Sequence, residues 1–185
     1  GHGMQSKFFS CAYAGYLRSI FQLKKDQTGA ADILDSISSA VAQDSFLEQV
    51  LLTCLSFRLL PQGAFEISSA GHPPPFFMAD GLCRMLDVAG PLPGLMGEST
   101  YSAQTLQFKP GDKIVLATDG FFDAFGKTSM VEQGEFLKKE METMKDMGAD
   151  AFSYRLWNLF LDRSVHSGKH ADDATLIVMS YGEGL

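Results

Sequence analysis

The sequence predicts an α+β fold or a layered sandwich, and not a doubly wound parallel sheet. Helix-type spacing of apolar residues occurs towards both ends of the chain, whereas strand-type patterns cluster in the middle instead of alternating with helices. The length of 185 residues suits a single domain that buries its own hydrophobic core. No internal repeat or low-complexity segment points to another architecture.

Helices are predicted wherever apolar residues recur at three- and four-residue steps. They cover residues 4–25 and 31–43 near the start, and residues 130–147 and 151–165 in the second half. In each pair the apolar stripe would face inward and the charged or small residues would face outward.

Strands are predicted from apolar runs and from period-two alternation between turn signals. They lie at residues 50–60, 64–69, 76–79, 82–88, 103–108, 113–118 and 174–179, the last of them as a buried strand. Asp80-Gly81 predicts a hairpin, residues 109–112 a tight turn between two strands, and residues 90–97 a loop.

The charge balance excludes two classes of partner. Lys and Arg together number 15 and Asp and Glu number 22, which gives a formal net charge of −7. Broad nucleic-acid binding and an anionic membrane surface both need a basic face, so neither is expected. No apolar run is long enough for a membrane helix and no signal peptide is evident, so we expect a cytoplasmic protein.

The cysteine pattern argues against a disulfide scaffold or a zinc site. Cys11, Cys54 and Cys83 are an odd number and form no Cys-x-x-Cys pair. We expect all of them to be buried, reduced thiols. Met130, Met141, Met144 and Met147 are expected to fill the core. 

Asp119 is the first candidate site residue. It follows the apolar strand 113–118, so the core behind it would hold it at the strand end, and Gly120 would permit a sharp turn there. The alternative is structural: Asp119 would cap a short helix over residues 121–125.

Asp172 and Asp173 are the second candidate site. They are adjacent carboxylates at the entrance of the last strand, and they repel each other unless a cation or a partner lies between them. The alternative is a solvated acidic turn. Taken with Asp119, carboxylate oxygens at strand ends suit Mg²⁺ or Mn²⁺ rather than zinc.

The histidines give weaker signals. His72 lies in a Gly-His-Pro turn, where a structural role is expected, and His166 and His170 are expected in a surface loop. No Gly-x-Ser-x-Gly, Walker or Gly-x-Gly-x-x-Gly motif occurs, so these enzyme classes lack support.

Five segments in order resemble one known family. They are Ser-Ser-Ala-Gly-His-Pro-Pro-Pro at 68–75, Gly-Pro-Leu at 90–92, Phe-Lys-Pro-Gly-Asp at 108–112, Ala-Thr-Asp-Gly-Phe-Phe-Asp-Ala at 117–124 and Asp-Asp-Ala-Thr-Leu at 172–176. Their order and content are similar to those of the SpoIIE-like metal-dependent phosphatases, bacterial relatives of the type 2C Ser/Thr protein phosphatases.

The start of the chain resembles the same family. Gly1-His2-Gly3 matches the end of the family's Asp-x-x-Gly-His-Gly segment. By this resemblance we expect residues 1–185 to be a single SpoIIE-like domain that lacks its N-terminal strands and the first metal-ligand Asp. The alternative is that Gly1, or Gly1 with His2, is a tag remnant.

The resemblance implies a layered α-β-β-α sandwich of two mainly antiparallel sheets flanked by helix pairs. It implies two Mn²⁺ or Mg²⁺ ions, with Asp119 and Asp172 as ligands and Asp173 as a neighbour. Gly120 would shape the turn, and Asp123 stands where the family usually has Glu.

The resemblance also implies a function. A metal-activated water would hydrolyse phosphoserine or phosphothreonine on an anti-sigma-factor antagonist of the STAS type. The domain would be the output end of a longer signalling protein, such as a response regulator, behind a receiver or sensor domain, and could form a homodimer. Without the upstream Asp we expect weak turnover or none from this chain, and the alternative is a non-catalytic binding or dimerisation module.

Overall fold

The computed structural model describes residues 4–24, 26, 29–44, 47, 51–95, 97–126, 129–167 and 173–182. The helices are α1 (Met4–Lys24), α2 (Ala30–Gln43), α3 (Asp119–Asp123), α4 (Met130–Thr143) and α5 (Ala149–Ser167). The strands are β1 (Cys54–Leu59), β2 (Ala64–Ala70), β3 (Phe76–Ala79), β4 (Leu82–Met85), β5 (Gln104–Gln107), β6 (Lys113–Ala117) and β7 (Leu176–Ser180).

The four long helices confirm the predicted helical pattern, and local capping explains where two of them begin. The Asp32 carboxylate accepts the Gly29 N–H at 2.8 Å at the start of α2. At the start of α4, the Ser129 hydroxyl accepts the Glu132 N–H at 3.3 Å, and the Glu132 carboxylate accepts the Ser129 N–H at 3.1 Å. This reciprocal pair is a capping box, which satisfies amides that lack a partner inside the helix.

The chain divides into two compact units, and the first contains the sheet β1-β2-β5. Strands β1 and β2 are antiparallel, from Cys54 opposite Ala70 to Leu59 opposite Phe65. Helix α2 packs against both strands, and α1 packs against α2. The buried core of this unit is formed by Tyr13, Leu34, Ile37, Val41, Leu47 and Ala70.

The second unit contains the antiparallel sheet β4-β3-β6-β7. Helix α4 packs against β4, and α5 packs against β7. An aromatic core fills this unit, with Phe121, Phe122 and Phe152 almost entirely shielded from solvent. Each unit thus pairs one antiparallel sheet with helices, as an α+β fold requires.

Three local predictions differ from the structure. The strand predicted at 50–60 forms only as β1, and the helix predicted to reach residue 147 ends at Thr143. The last strand is not fully buried, because Leu176 and Val178 pack against the core on one face while Ile177, on the other face, is 46% exposed.

The tight turn at 109–112 is confirmed. The Asp112 N–H donates to the Lys109 carbonyl at 3.0 Å, and the Asp112 carboxylate accepts the Lys109 N–H at 2.8 Å. The strands on either side are not partners, however, since β5 and β6 belong to different sheets.

The cysteines are free but not uniformly buried. Burial raises the pKa of the Cys83 thiol to about 12 and that of the Cys54 thiol to about 11. Cys11 is exposed on α1, so the expectation of burial was wrong for it. Among the methionines, Met141 and Met144 are buried, whereas Met130 and Met147 are 39% and 38% exposed.

Within the described part of the chain, none of the helices has the length and apolar character that crossing a membrane requires.

Candidate functional site

Strands β6 and β7 bring the two acidic motifs to the same end of one sheet. The strands are antiparallel, and their register runs from Lys113 opposite Ser180 to Ala117 opposite Leu176. Asp119 comes two residues after the end of β6, and Asp173 comes three residues before the start of β7. Both aspartates are exposed. The fold therefore assembles the carboxylates that the sequence places far apart.

The core behind β6 fixes the position of Asp119. Ile114 and Val115 are almost fully buried in the strand, and Phe121 and Phe122 are buried directly after the aspartate. Apolar anchors on both sides therefore hold the backbone of Asp119 at the sheet end, while its side chain is exposed. The structure thus has Asp119 just after a buried strand, where the sequence predicts it.

Asp119 does not cap the following helix. It is the first residue of α3, and Thr118 is the N-cap residue. One Asp119 carboxylate oxygen accepts the N–H of Gly120 at 3.0 Å. An N-cap side chain instead accepts from an amide two or three positions further on, so the structural alternative for Asp119 was wrong.

Asp123 and Gly120 both lie in α3. Asp123 is four residues after Asp119 and exposed, so the two carboxylates share one face of this short helix. Gly120 is buried within the helix rather than in a loop. The acidic end of the sheet therefore includes Asp119, Asp123 and Asp173 from two chain segments.

Thr118 joins these two segments directly. Its backbone N–H donates to the Thr175 carbonyl at 3.1 Å, and its hydroxyl oxygen Oγ1 accepts the Thr175 N–H at 2.9 Å. The sequence alone did not predict a role for Thr118. The pattern that could have indicated one is a hydroxyl residue placed between a buried strand and an acidic residue.

Some candidate residues fall outside the described part of the chain, and two histidines lie in segments other than those of the acidic end. Asp172, Gly1, His2 and Gly3 fall outside the described residues, as does His170. His166 belongs to α5 and not to a loop, so that prediction was wrong. The His72 carbonyl accepts the Ser69 hydroxyl at 3.2 Å, which supports a structural role in the turn after β2.

The donor chemistry of this acidic end fits a hard divalent cation. The described donors are carboxylate oxygens, which Mg²⁺ and Mn²⁺ prefer. Within the described residues, however, no group of three or more His, Cys, Asp or Glu side chains could hold a metal ion. The type of ligand matches, and the described ligands are fewer than a complete cage would need.

Comparisons with known proteins identify the family of the chain. The model of the family described as Stage II sporulation protein E (SpoIIE) matches residues 1–182. Protein IcfG of Synechocystis sp. is 31% identical over 81 residues, which cover 40% of this chain and 13% of IcfG.

Two solved structures share the fold. The RsbU and RsbW domains of Rv1364c from Mycobacterium tuberculosis give a TM-score of 0.74 at 22% identity, over 97% of this chain and 50% of that chain. The Mn-presoaked phosphatase domain of SpoIIE from Bacillus subtilis gives 0.63 at 16% identity, over 93% and 74%.

The chain thus spans 13% of the length of IcfG and half of the Rv1364c chain. The predicted α+β fold class is confirmed, both by the described elements and by these likenesses. The match to the family model covers nearly the whole chain. The chain belongs to the SpoIIE family.

Proposed function

We propose that this chain is the catalytic domain of a divalent-metal-dependent phosphoserine/phosphothreonine protein phosphatase. The observation that carries the proposal is the register of β6 and β7, which places Asp119 and Asp173 at one end of a single sheet. Membership of the SpoIIE family supports the same reading, and the SpoIIE structure of Bacillus subtilis was presoaked with Mn.

Each acidic residue has a role in this proposal. Asp119 and Asp172 hold the cations, two Mn²⁺ or Mg²⁺ in all, through carboxylate oxygens. Asp173 and Asp123 add negative charge at the same end of the sheet, which favours the entry of cations. Gly120, buried in α3, directly follows Asp119.

The chemistry suits a phosphate ester. Divalent ions held by these carboxylates would supply a water of lowered pKa as the nucleophile and would offset the charge on the phosphoryl oxygens. The carboxylates would hold the cations, and they need form no bond to phosphorus. The hydrolysis therefore requires no covalent enzyme intermediate.

The proposed substrate is a phosphorylated anti-sigma-factor antagonist of the STAS type. The solved chain from Mycobacterium tuberculosis, which combines RsbU and RsbW domains, supports a setting among regulatory proteins. In that setting a receiver or sensor domain would lie upstream in the same protein, as in a response regulator, and the domain could pair with a second copy.

The test compares the protein with its Asp119→Asn variant in hydrolysis of an aryl phosphate and of a phosphorylated antagonist, with millimolar-range Mn²⁺. We expect at most weak Mn²⁺-dependent turnover from this chain, and we expect the variant to lose it while keeping its circular dichroism spectrum. A folded variant with full activity would overturn the proposal.

A matched control is Ser180→Ala, at the opposite end of the same strand pair, across from Lys113. It should keep full turnover. If the protein captures the phosphorylated antagonist but releases no phosphate with Mn²⁺ or Mg²⁺, the chain is a non-catalytic binding module.

A further inference from the structure

We propose that the Thr118 hydroxyl is a positioning group that sets the affinity of the acidic site for divalent cations by fixing the start of β7 against the end of β6. The inference rests on the proposed function for its link to cations. Its structural part, the hydrogen bond between Thr118 and Thr175, is tested independently.

The contact replaces a regular rung of the β-ladder. In an antiparallel pair, two opposite residues exchange two backbone hydrogen bonds. Here the first is regular, because the Thr118 N–H donates to the Thr175 carbonyl at 3.1 Å. The second bond would need the Thr118 carbonyl as acceptor.

That carbonyl already serves the next helix. The Phe121 N–H donates to it at 3.0 Å, as part of the first turn of α3. The Thr175 N–H is instead accepted by the Thr118 side-chain oxygen at 2.9 Å. The hydroxyl therefore completes the rung that the strand-to-helix turn would otherwise leave open.

The helix supports this assignment, since Thr118 is the N-cap of α3 but its side chain makes no capping hydrogen bond. An N-cap threonine ordinarily accepts an amide of the first helical turn. The Thr118 hydroxyl therefore does not cap α3 as an N-cap threonine ordinarily would. It contacts Thr175 instead, in the segment that follows Asp173.

The position matters because of charge. Asp119 follows Thr118 directly, and Asp173 precedes Thr175 by two residues, so the rung lies between the two acidic segments. Like charges repel when no cation separates them. In the described sheet β7 pairs with β6 alone, so this rung is the last one that resists separation at the acidic end.

The experiment uses three variants of the protein. Thr118→Val keeps the branched shape and removes the hydroxyl, Thr118→Ser keeps the hydroxyl, and Ser180→Ala removes a hydroxyl at the far end of the same strand pair. Each is measured by Mn²⁺ titration calorimetry and by amide hydrogen exchange at Thr175 without metal.

We expect Thr118→Val to weaken Mn²⁺ binding by about 10- to 100-fold, the usual effect of removing a group that orients metal ligands. The Thr175 amide should exchange faster in the same variant. Thr118→Ser should retain both wild-type values, and Ser180→Ala should change neither. Unchanged Mn²⁺ affinity in a folded Thr118→Val protein overturns the proposal.

Two further outcomes are separable. If the wild-type protein binds no Mn²⁺, the proposed function fails, and the link between Thr118 and cation binding fails with it. If the Thr175 amide exchanges at an unchanged rate in Thr118→Val, the hydrogen-bond assignment itself is overturned. If Thr118→Val does not fold, Thr118→Ala is compared with Thr118→Ser, and equal Mn²⁺ affinity in that pair overturns the proposal.

Discussion

The Asp35 carboxylate accepts the backbone N–H of Tyr101 at 2.7 Å, which fastens the segment before β5 to helix α2. One turn along the same helix, the Ser38 hydroxyl accepts the N–H of Ser99 at 3.0 Å. Segments without regular structure must satisfy their backbone donors somewhere, and here α2 supplies the acceptors. Burial also raises the pKa of the Tyr101 phenol above its ordinary value.

Loss of the Asp35 acceptor should lower stability. Asp35→Ala leaves the Tyr101 N–H without its partner, so we expect the free energy of unfolding to fall by about 1–3 kcal/mol. Asp35→Asn keeps an acceptor oxygen and should lose less. Urea denaturation measures both. Asp146→Ala, at an exposed aspartate after α4, is the control and should change stability by less than about 0.5 kcal/mol. Equal losses for Asp35→Ala and Asp146→Ala would contradict the assignment.

Two helical glycines should respond oppositely to alanine. A Cβ at Gly15 in α1 would meet nothing within 4 Å, so Gly15→Ala should stabilise the protein by about 0.5–1 kcal/mol. A Cβ at Gly134 in α4 would lie 2.2 Å from the Met85 sulfur. That side chain must move, so Gly134→Ala should be destabilising. Thermal unfolding of both variants gives the signs, and a stabilising Gly134→Ala would show that Met85 adapts without cost.

The thiols should differ in reactivity in the order of their exposure. The thiolate is the reactive form, and burial raises the pKa of Cys83 from 9.0 to about 12. At pH 8 its thiolate fraction is thus about a thousandfold below that of an ordinary thiol. We expect iodoacetamide to modify exposed Cys11 first, Cys54 more slowly and Cys83 only on unfolding. Peptide mass spectrometry follows each site, and early labelling of Cys83 would be inconsistent with its burial.

The metal-free protein should tolerate Asp119→Asn well. The change relieves repulsion between Asp119 and Asp123, worth about 0.2–0.5 kcal/mol at this spacing. It also removes a favourable charge from the first turn of α3, worth about 0.3–1 kcal/mol. The two effects oppose each other, so we expect a net change below about 1 kcal/mol.

Added Mn²⁺ should then distinguish the proteins. A ligand that binds only the folded state raises the melting temperature, so wild type should gain stability with Mn²⁺ and Asp119→Asn should gain little. Differential scanning fluorimetry over a Mn²⁺ series makes the comparison. An equal rise in both proteins would place the bound cation away from Asp119.

Local patterns predicted the helices and the positions of most strands because their signals are local. Apolar spacing located α2 to within one residue at its start, and Asp80-Gly81 located the β3–β4 hairpin. The same patterns could not show that the turn after β5 leads into another sheet. Strand pairing depends on distant segments, so the local sequence of a turn is the same whether it joins two paired strands or two strands of different sheets.

The candidate site was predictable only in part, because local patterns mark single residues but not the pairing of distant strands. The strand before Asp119 was visible as an apolar run, and the doublet at Asp173 as a charge pattern. The role of Thr118 was not visible, because it depends on the pairing of β6 with β7 and on the competing demand of α3 for the same carbonyl. Only the pairing of β6 with β7 in the folded structure shows that the Thr175 N–H is accepted by the Thr118 hydroxyl, while the Thr118 carbonyl accepts the Phe121 N–H.

The strand order of the second unit has a consequence for synthesis on the ribosome. The hairpin β3–β4 is translated before the other strands of this sheet. Residues 88–106, which belong to the first unit, come next, then β6, and β7 follows as an edge strand of the sheet. A nascent chain that has not passed Ser180 can neither close this sheet nor bring Asp173 alongside Asp119. Premature or truncated translation products would therefore lack the acidic site, so that cation binding would report complete synthesis of the sheet.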